Sequence, residues 1–434
     1  MSTATARAYQ PRFAGRFVPF EMQKSPQNKA FYGQRSTYSG KAHCIKDRVL
    51  LDPCMGSGHI LVYAFDVLMQ IYEAAGYAQR DAARSILEHN LYGLDIDDRA
   101  FQLAYFAVMM KARQYNRRIL NGEIDCHVYA IQESNNLNRE QLKYFGSGFS
   151  DSERYSIIIQ INELLDNFVD SKEYGSILKV GSYNWSALKC FIASYELNGQ
   201  IAMDAVGIES TQNELKQLIT IAEVMQQKYD IVITNPPYFG FSRFSAKLAN
   251  YVEKNYPDSK VDLSVAMLEQ AVTTLCKKVR FVSFITTNSW MFLSSFEKAR
   301  SYILDNCGID SVVDFGTELF EGKVGHNPIV AFVLRNVKVF KKATAIRLVD
   351  YCYARRNEKE QEFYNKNNYY YTTQNLYYSI PGVPIAYWLT ERVFWAFANC
   401  KNIKEIAKAR SGVSSQVKCT LFRQQMHTFS APVF

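Results

Sequence analysis

Asn235-Pro236-Pro237-Tyr238 follows an apolar stretch, Tyr229–Thr234, and residues of these types at this spacing suit one kind of chemistry. An exocyclic amine on a conjugated ring is a poor nucleophile, because its lone pair is delocalised into the ring. It improves when two acceptors hold its hydrogens and let the nitrogen turn pyramidal. The Asn235 side-chain oxygen and the Pro236 main-chain carbonyl are two such acceptors. Pro236 and Pro237 fix the backbone and donate no main-chain N–H, so the carbonyl is aimed. Tyr238 offers a ring on which a base turned out of its stack can lie. No charged base is needed; placement and electrostatics suffice. Asn and Pro also build ordinary turns, so the weight of the motif depends on what stands upstream.

Upstream stands Asp52-Pro53-Cys54-Met55-Gly56-Ser57-Gly58, directly after the apolar run Val49–Leu51. Gly56 and Gly58 let a ligand approach the backbone at a strand-to-helix turn. The turn lacks the lysine of a phosphate-cradling loop. Asp95 ends the next apolar stretch, where an acid can take both ribose hydroxyls of a nucleoside. An acid there can also simply cap a helix.

These segments together resemble the N6-adenine DNA methyltransferases in which the cofactor motif precedes the Asn-Pro-Pro-Tyr motif. More narrowly, the run from Leu51 to Leu120 is similar to the PglX-type methyltransferases of BREX phage-defence systems and to their relatives in combined restriction–modification enzymes. The likeness continues through Leu334. It implies S-adenosylmethionine as cofactor, double-stranded DNA as partner and other phage-defence proteins as company; the scattered, odd-numbered cysteines for their part fit a reducing cytoplasm. It places Asp52, Pro53, Cys54, Gly56, Ser57 and Gly58 around the methionine end, Asp95 on the ribose, and Ile96 and Asp97 beside the cofactor adenine. Asn235, Pro236, Pro237 and Tyr238 become the catalytic loop, and Asp262, with Leu263, a helix start bordering the cofactor pocket. Phe320 joins Tyr238 in packing against the displaced base.

Three departures from that pattern stand out. An aromatic segment that closes over the cofactor has only a faint echo at Phe31-Tyr32-Gly33-Gln34. The polar residue after the third strand has no clear counterpart beyond Gln132 and Glu133. The chain also ends soon after Ser411-Gly412-Val413, where a DNA-reading domain would begin, so the expectation is a catalytic core truncated at both ends. The alternatives are a non-catalytic subunit that keeps the fold as a scaffold, and an N-methyltransferase acting on RNA or on a protein amide.

Positioning these motifs requires an α/β frame. Strand, glycine turn, helix, strand and acid in succession open a nucleotide-binding domain. The periodicity predicts strands at Leu91–Ile96, Cys126–Ile131, Tyr229–Thr234, Phe281–Thr286, Ile309–Phe315, Ile329–Leu334 and, as one more edge strand, Thr344–Val349. It predicts helices around Ile60–Ile71, Arg80–Glu88, Phe101–Arg113 and Leu263–Leu275. In the first of these the apolar face reads as Ile60, Ala64, Val67, Leu68 and Ile71. With the resemblance, the expected fold is a Rossmann-like, S-adenosylmethionine-dependent methyltransferase: a mostly parallel seven-stranded sheet with one antiparallel edge strand and a helical insertion. The segments are 1–47, irregular; 48–134, the cofactor half; 135–227, the insertion; 228–350, the catalytic half; and 351–434, the start of a recognition region.

Composition narrows the classes further. The nine cysteines form no CxxC pair and the six histidines no HExxH or HxH pair, so no metal site is expected. No apolar run is long enough to span a membrane. A net charge of +8 is compatible with a polyanionic partner.

Overall fold

The computed structural model describes residues 43–401 apart from 123, 194, 196–206, 321–325 and 340–341. The stretches at Phe31–Gln34 and Ser411–Val413 lie outside the described residues. The chain divides into a large unit, Met1–Trp388, and a small one from Leu389 onward, whose described part is the helix Glu391–Asn399.

The strands of the large unit are β1 (Leu50–Asp52), β2 (Leu91–Asp95), β3 (Val128–Ala130), β4 (Tyr229–Thr234), β5 (Cys276–Thr287), β6 (Gly308–Gly316), β7 (Ile329–Arg335), β8 (Lys342–Arg347) and β9 (Tyr369–Thr373). They form one sheet in the order β3-β2-β1-β4-β5-β7-β6-β8-β9. The helices that cover the first strands are α1 (His59–Ala74), α2 (Gln79–Ser85) and α3 (Asp98–Tyr115). β1 is buried at all three positions, as a central strand covered on both faces must be.

Two expectations about the sheet are corrected. It has nine strands rather than seven. It has two antiparallel strands rather than one: β9 at the edge runs antiparallel to β8, and β7 lies inside the sheet and pairs antiparallel with both β5 and β6. Connectivity explains this. The chain crosses from β5 to β6 through the helix Glu297–Asn306 and leaves a one-strand gap, and the short return after β6 fills it from the opposite direction. β8, expected at the edge, pairs with β6 on one side and with β9 on the other. Residues 369–373, read from sequence only as a Tyr-rich stretch beyond residue 350, therefore supply the edge strand.

The buried face of α1 also differs from the periodicity reading. Leu61, Ala64, Phe65, Met69 and Tyr72 face the core, whereas Val67 and Ile71 are exposed. Both faces of this helix carry apolar residues, so spacing alone does not choose between them, and the large Phe65 and Tyr72 rings win the interior.

Between β3 and β4 the insertion folds into α4 (Asp151–Asn167), α5 (Trp185–Ala193) and α6 (Ile208–Gln226). Ser150 and Glu153 close a reciprocal capping box at the start of α4. After β4 come α7 (Ala246–Asn255) and α8 (Leu263–Gln270). At the amino end of β4, buried Asp230, the second residue of the strand, takes Arg48 at 2.9 Å and Lys277 and Arg280 at 2.8 Å. Burial works to raise its carboxyl, but the hydrogen bonds from Lys277, Arg48 and the Val49 N–H outweigh it and hold the group below the usual range. No described helix is long and apolar enough to cross a membrane.

Candidate active site

The strand order reverses between β1 and β4, because β1, β2 and β3 run out to one side and β4 starts the other. In an open α/β sheet the crevice at the carboxyl ends beside such a reversal is the natural binding place. The last residues of those two strands touch there. The Thr234 hydroxyl donates to Asp52 Oδ1 at 2.7 Å, and the Cys54 N–H donates to the same oxygen at 3.1 Å. Asp52 Oδ2 is buried and has no protein partner. Burial pushes the Asp52 carboxyl up to about 7; Thr234 and the Cys54 N–H pull against this, and the Asp95 charge adds to it. Burial likewise pushes the Cys54 thiol well up, so it stays protonated.

Asp95 ends β2 and is buried. Its Oδ2 accepts the Gly56 N–H at 2.9 Å and its Oδ1 the Asp97 N–H at 3.0 Å. Asp95 therefore caps no helix; that role falls to Asp97, whose side chain accepts the Arg99 N–H at the start of α3. Asp97 also pairs with Arg99 at 3.2 Å, and Ile96 between the two acids is half exposed. The glycine turn needs its glycines. Gly58 has φ +81°, and a Cβ there would lie 2.9 Å from Ala104 Cα. Gly56 has φ +52°, and a Cβ would meet nothing within 4 Å, so the space above this part of the loop is open. Ser57 is tied to His59 at 2.8 Å.

On the β4 side, Asn235 and Pro237 are exposed, Pro236 is buried and Tyr238 half-buried. The Tyr238 hydroxyl donates to Asn235 Oδ1 at 2.7 Å. The chain beyond is pinned to the start of α8. The Leu263 N–H donates to the Phe239 carbonyl at 2.9 Å, and the Phe241 N–H to the Val261 carbonyl at 3.0 Å. Asp262 caps α8, accepting the Ser264 N–H at 2.9 Å and its hydroxyl at 2.6 Å. Burial raises the Asp262 carboxyl, against the pull of Ser264. Tyr238 and Phe320 lie in one apolar cluster built on Phe315, Ile329, Ile346 and Leu348.

Most residues singled out from sequence thus meet along three adjacent strand ends, with Phe320 reached across the sheet. Gln132 and Glu133 turn elsewhere. Gln132 Nε2 donates to Asp98 Oδ1 at 2.9 Å, and Glu133 accepts the Lys172 N–H at 3.3 Å. Sequence reasoning missed Thr234 and Ser176, whose hydroxyl donates to the Pro53 carbonyl. A hydroxyl residue closing an apolar strand was a usable signal for Thr234; nothing local marks Ser176. Among the described residues no group of His, Cys, Asp and Glu could hold a metal ion.

A mixed sheet in this order, with a glycine turn after its first strand and an acid ending its second, is a Rossmann-like methyltransferase fold of the S-adenosylmethionine-dependent class. The family model described as Eco57I restriction-modification methylase matches residues 89–320, more than half of the chain, and the protein belongs to that family. The chain is 35% identical over 383 residues to the adenine-specific methyltransferase PglX of Lacticaseibacillus casei, which covers 86% of this chain and 31% of that protein. It is 36% identical over 365 residues to the adenine-specific methyltransferase BrxX of Escherichia coli, covering 79% of this chain and 29% of that protein. The chain thus spans somewhat under a third of the length of these curated relatives. Among solved structures, the DrdV–DNA complex aligns with a TM-score of 0.44 and 12% identity over 80% of this chain and 28% of that one.

Proposed function

We propose that this chain carries the catalytic core of a site-specific DNA methyltransferase that transfers a methyl group from S-adenosylmethionine to adenine N6, acting in the cytoplasm in phage defence. The observation that carries the reading is the 2.7 Å hydrogen bond between Thr234 and Asp52, which locks the strand leading into Asn235 to the strand leading into the glycine turn. A cofactor held at the one strand end and a base held at the other would be neighbours. The adenine-specific relatives, similar along most of this chain, support adenine as the target.

The residues fit the cofactor. The backbone at Gly56 opens onto free space, and Asp95 holds the loop from below while each of its oxygens keeps a lone pair for a ribose hydroxyl. The unpartnered Asp52 Oδ2 adds negative charge beneath the place where a methionine ammonium would sit. Asp52, Pro53, Cys54, Gly56, Ser57 and Gly58 would hold the methionine end, Asp95 the ribose, and Ile96, Asp97 and Asp262 the border of the adenine. When bound, S-adenosylmethionine supplies a sulfonium methyl open to direct displacement.

The chain's own residues prepare the amine. Asn235 Oδ1 and the Pro236 carbonyl accept its two hydrogens and shift electron density onto nitrogen. Pro236 and Pro237 keep that carbonyl from drifting. Tyr238 and Phe320 flank the displaced base and exclude water. The nitrogen's surplus proton leaves to solvent after transfer, so no buried base is required.

Tritium transfer from labelled S-adenosylmethionine to plasmid DNA, total RNA and protein tests this. Label recovered as N6-methyladenine in DNA supports the reading. Label confined to RNA or protein overturns the substrate. A melting temperature raised by S-adenosylmethionine with no label anywhere overturns catalysis and leaves a binding subunit.

A further inference from the structure

The segment between α4 and α5 returns across the carboxyl ends of β1, β2 and β3. It makes a single helical turn, Ser171–Tyr174, followed by Gly175–Ile177. Three groups of contacts fix it over the cofactor half. The buried Ser176 hydroxyl donates to the Pro53 carbonyl, inside the Asp52–Gly58 loop. The Ser171 hydroxyl donates to the Gln132 carbonyl at 2.7 Å, and Lys172 pairs with Asp98 at 2.7 Å. Gly175 has φ +58°, and a Cβ there would lie 3.2 Å from Ile96 Cγ2, so the turn presses on the residue that follows Asp95.

The same turn is gripped by the catalytic half. The Tyr256 hydroxyl donates to the Ile177 carbonyl at 2.6 Å, and the Lys179 N–H donates to the Tyr251 hydroxyl at 2.8 Å. Tyr174 stacks on Tyr251 with ring centroids 4.4 Å apart. Ser245, the cap of α7, donates to Glu173. One short turn therefore joins the glycine loop to the helix that follows the Asn235 loop.

We propose that Ser171–Ile177 forms the outer wall of the pocket that takes the adenine of S-adenosylmethionine, and that Ser176 is a positioning residue that sets the glycine loop through Pro53. This deepens the cofactor reading above and rests on it. Ile96 lies between Asp95 and the turn, so a ring beside Ile96 has Gly175 as its neighbour. The left-handed backbone at Gly175 favours glycine, and a Cβ there would sit tightly against the Ile96 side chain. Gln132 and Glu133, which follow β3, serve as anchors for this wall rather than as its lining.

Hydrogen exchange of the full chain with and without S-adenosylhomocysteine, together with calorimetric titration of the wild type and Ser176→Ala, tests the proposal. In the wild type the ligand is expected to slow exchange in peptides covering both 52–58 and 171–177. Ser176→Ala is expected to weaken binding about tenfold, the equivalent of one well-placed hydrogen bond, while the ligand-free protein stays folded and melts at a somewhat lower temperature than the wild type. Protection of 52–58 without protection of 171–177, or unchanged affinity in Ser176→Ala, overturns the wall and leaves the cofactor reading intact. No binding by the wild type overturns both. Should Ser176→Ala fail to fold, the wild-type exchange pattern decides alone.

Discussion

The Tyr238 hydroxyl donates a 2.7 Å hydrogen bond to Asn235 Oδ1, the atom assigned to hold the target amine. Burial raises the Tyr238 phenol well above its ordinary value, so it remains a donor throughout the neutral range. The ligand-free loop thus satisfies its exposed acceptor internally, and an incoming amine competes with the phenol or shares the oxygen's second lone pair. Replacing Tyr238 with Phe keeps the ring and frees the acceptor; transfer to DNA is expected within about threefold of wild type. Tyr238→Ala loses stacking worth roughly 1–3 kcal/mol, and transfer should fall about 10- to 100-fold. Tritium incorporation measures both.

Asn235→Ala removes one of the two acceptors while leaving the glycine loop untouched. Transfer should drop by about 100-fold or more, with the calorimetric affinity for S-adenosylhomocysteine unchanged. A parallel loss of affinity would mean that Asn235 acts through the fold.

Asp52 sets a pH dependence. Its carboxyl is raised from 3.8 to about 7 in the folded protein, so folding favours the protonated form. Its favourable contribution is complete below about pH 4 and is lost as pH rises through about 7. The shift corresponds to roughly 4 kcal/mol at most. Asp52→Asn removes the buried charge but leaves an amide N–H unpaired, at a cost of about 1–3 kcal/mol. The variant should therefore melt above the wild type at pH 8 and lose that advantage at pH 4, while binding S-adenosylhomocysteine more weakly. Melts across this range decide it; a difference independent of pH would contradict a charged Asp52 at pH 8.

Thr234→Val deletes the hydroxyl that joins β4 to Asp52. The expected loss is about 1–2 kcal/mol in urea unfolding, because the Asp52 carboxylate gives up a buried partner. Cofactor affinity and transfer rate should fall together, since one bond serves both strand ends.

Gly58→Ala should damage the fold more than Gly56→Ala. Both residues have positive φ, but only at Gly58 would the new Cβ strike backbone, 2.9 Å from Ala104 Cα, where α1 and α3 meet. About 2 kcal/mol or more of destabilisation is expected at Gly58 and about 1 kcal/mol at Gly56. Circular dichroism melts compare the two.

The chemistry-bearing motifs and the strands that carry them were legible locally. Tyr229–Thr234 is a strand with the bounds its apolar pattern suggests, and the acid and asparagine sit at strand ends as predicted. Proline, glycine and alternating apolar residues act on their own backbone, so their meaning survives without knowledge of partners. Tyr369–Thr373 was harder, because an edge strand with one exposed face carries only a weak pattern.

What tertiary structure alone decided is which distant segments meet. That β7 slots between β5 and β6, that Thr234 reaches Asp52 across 182 positions, and that Ser176 returns over 123 positions to Pro53 leave no periodic trace in the chain. Each is a pairing between residues of ordinary type, selected by which surfaces the assembled sheet brings within hydrogen-bonding distance. Local stereochemistry wrote the parts of the site into the sequence, and long-range packing chose their neighbours.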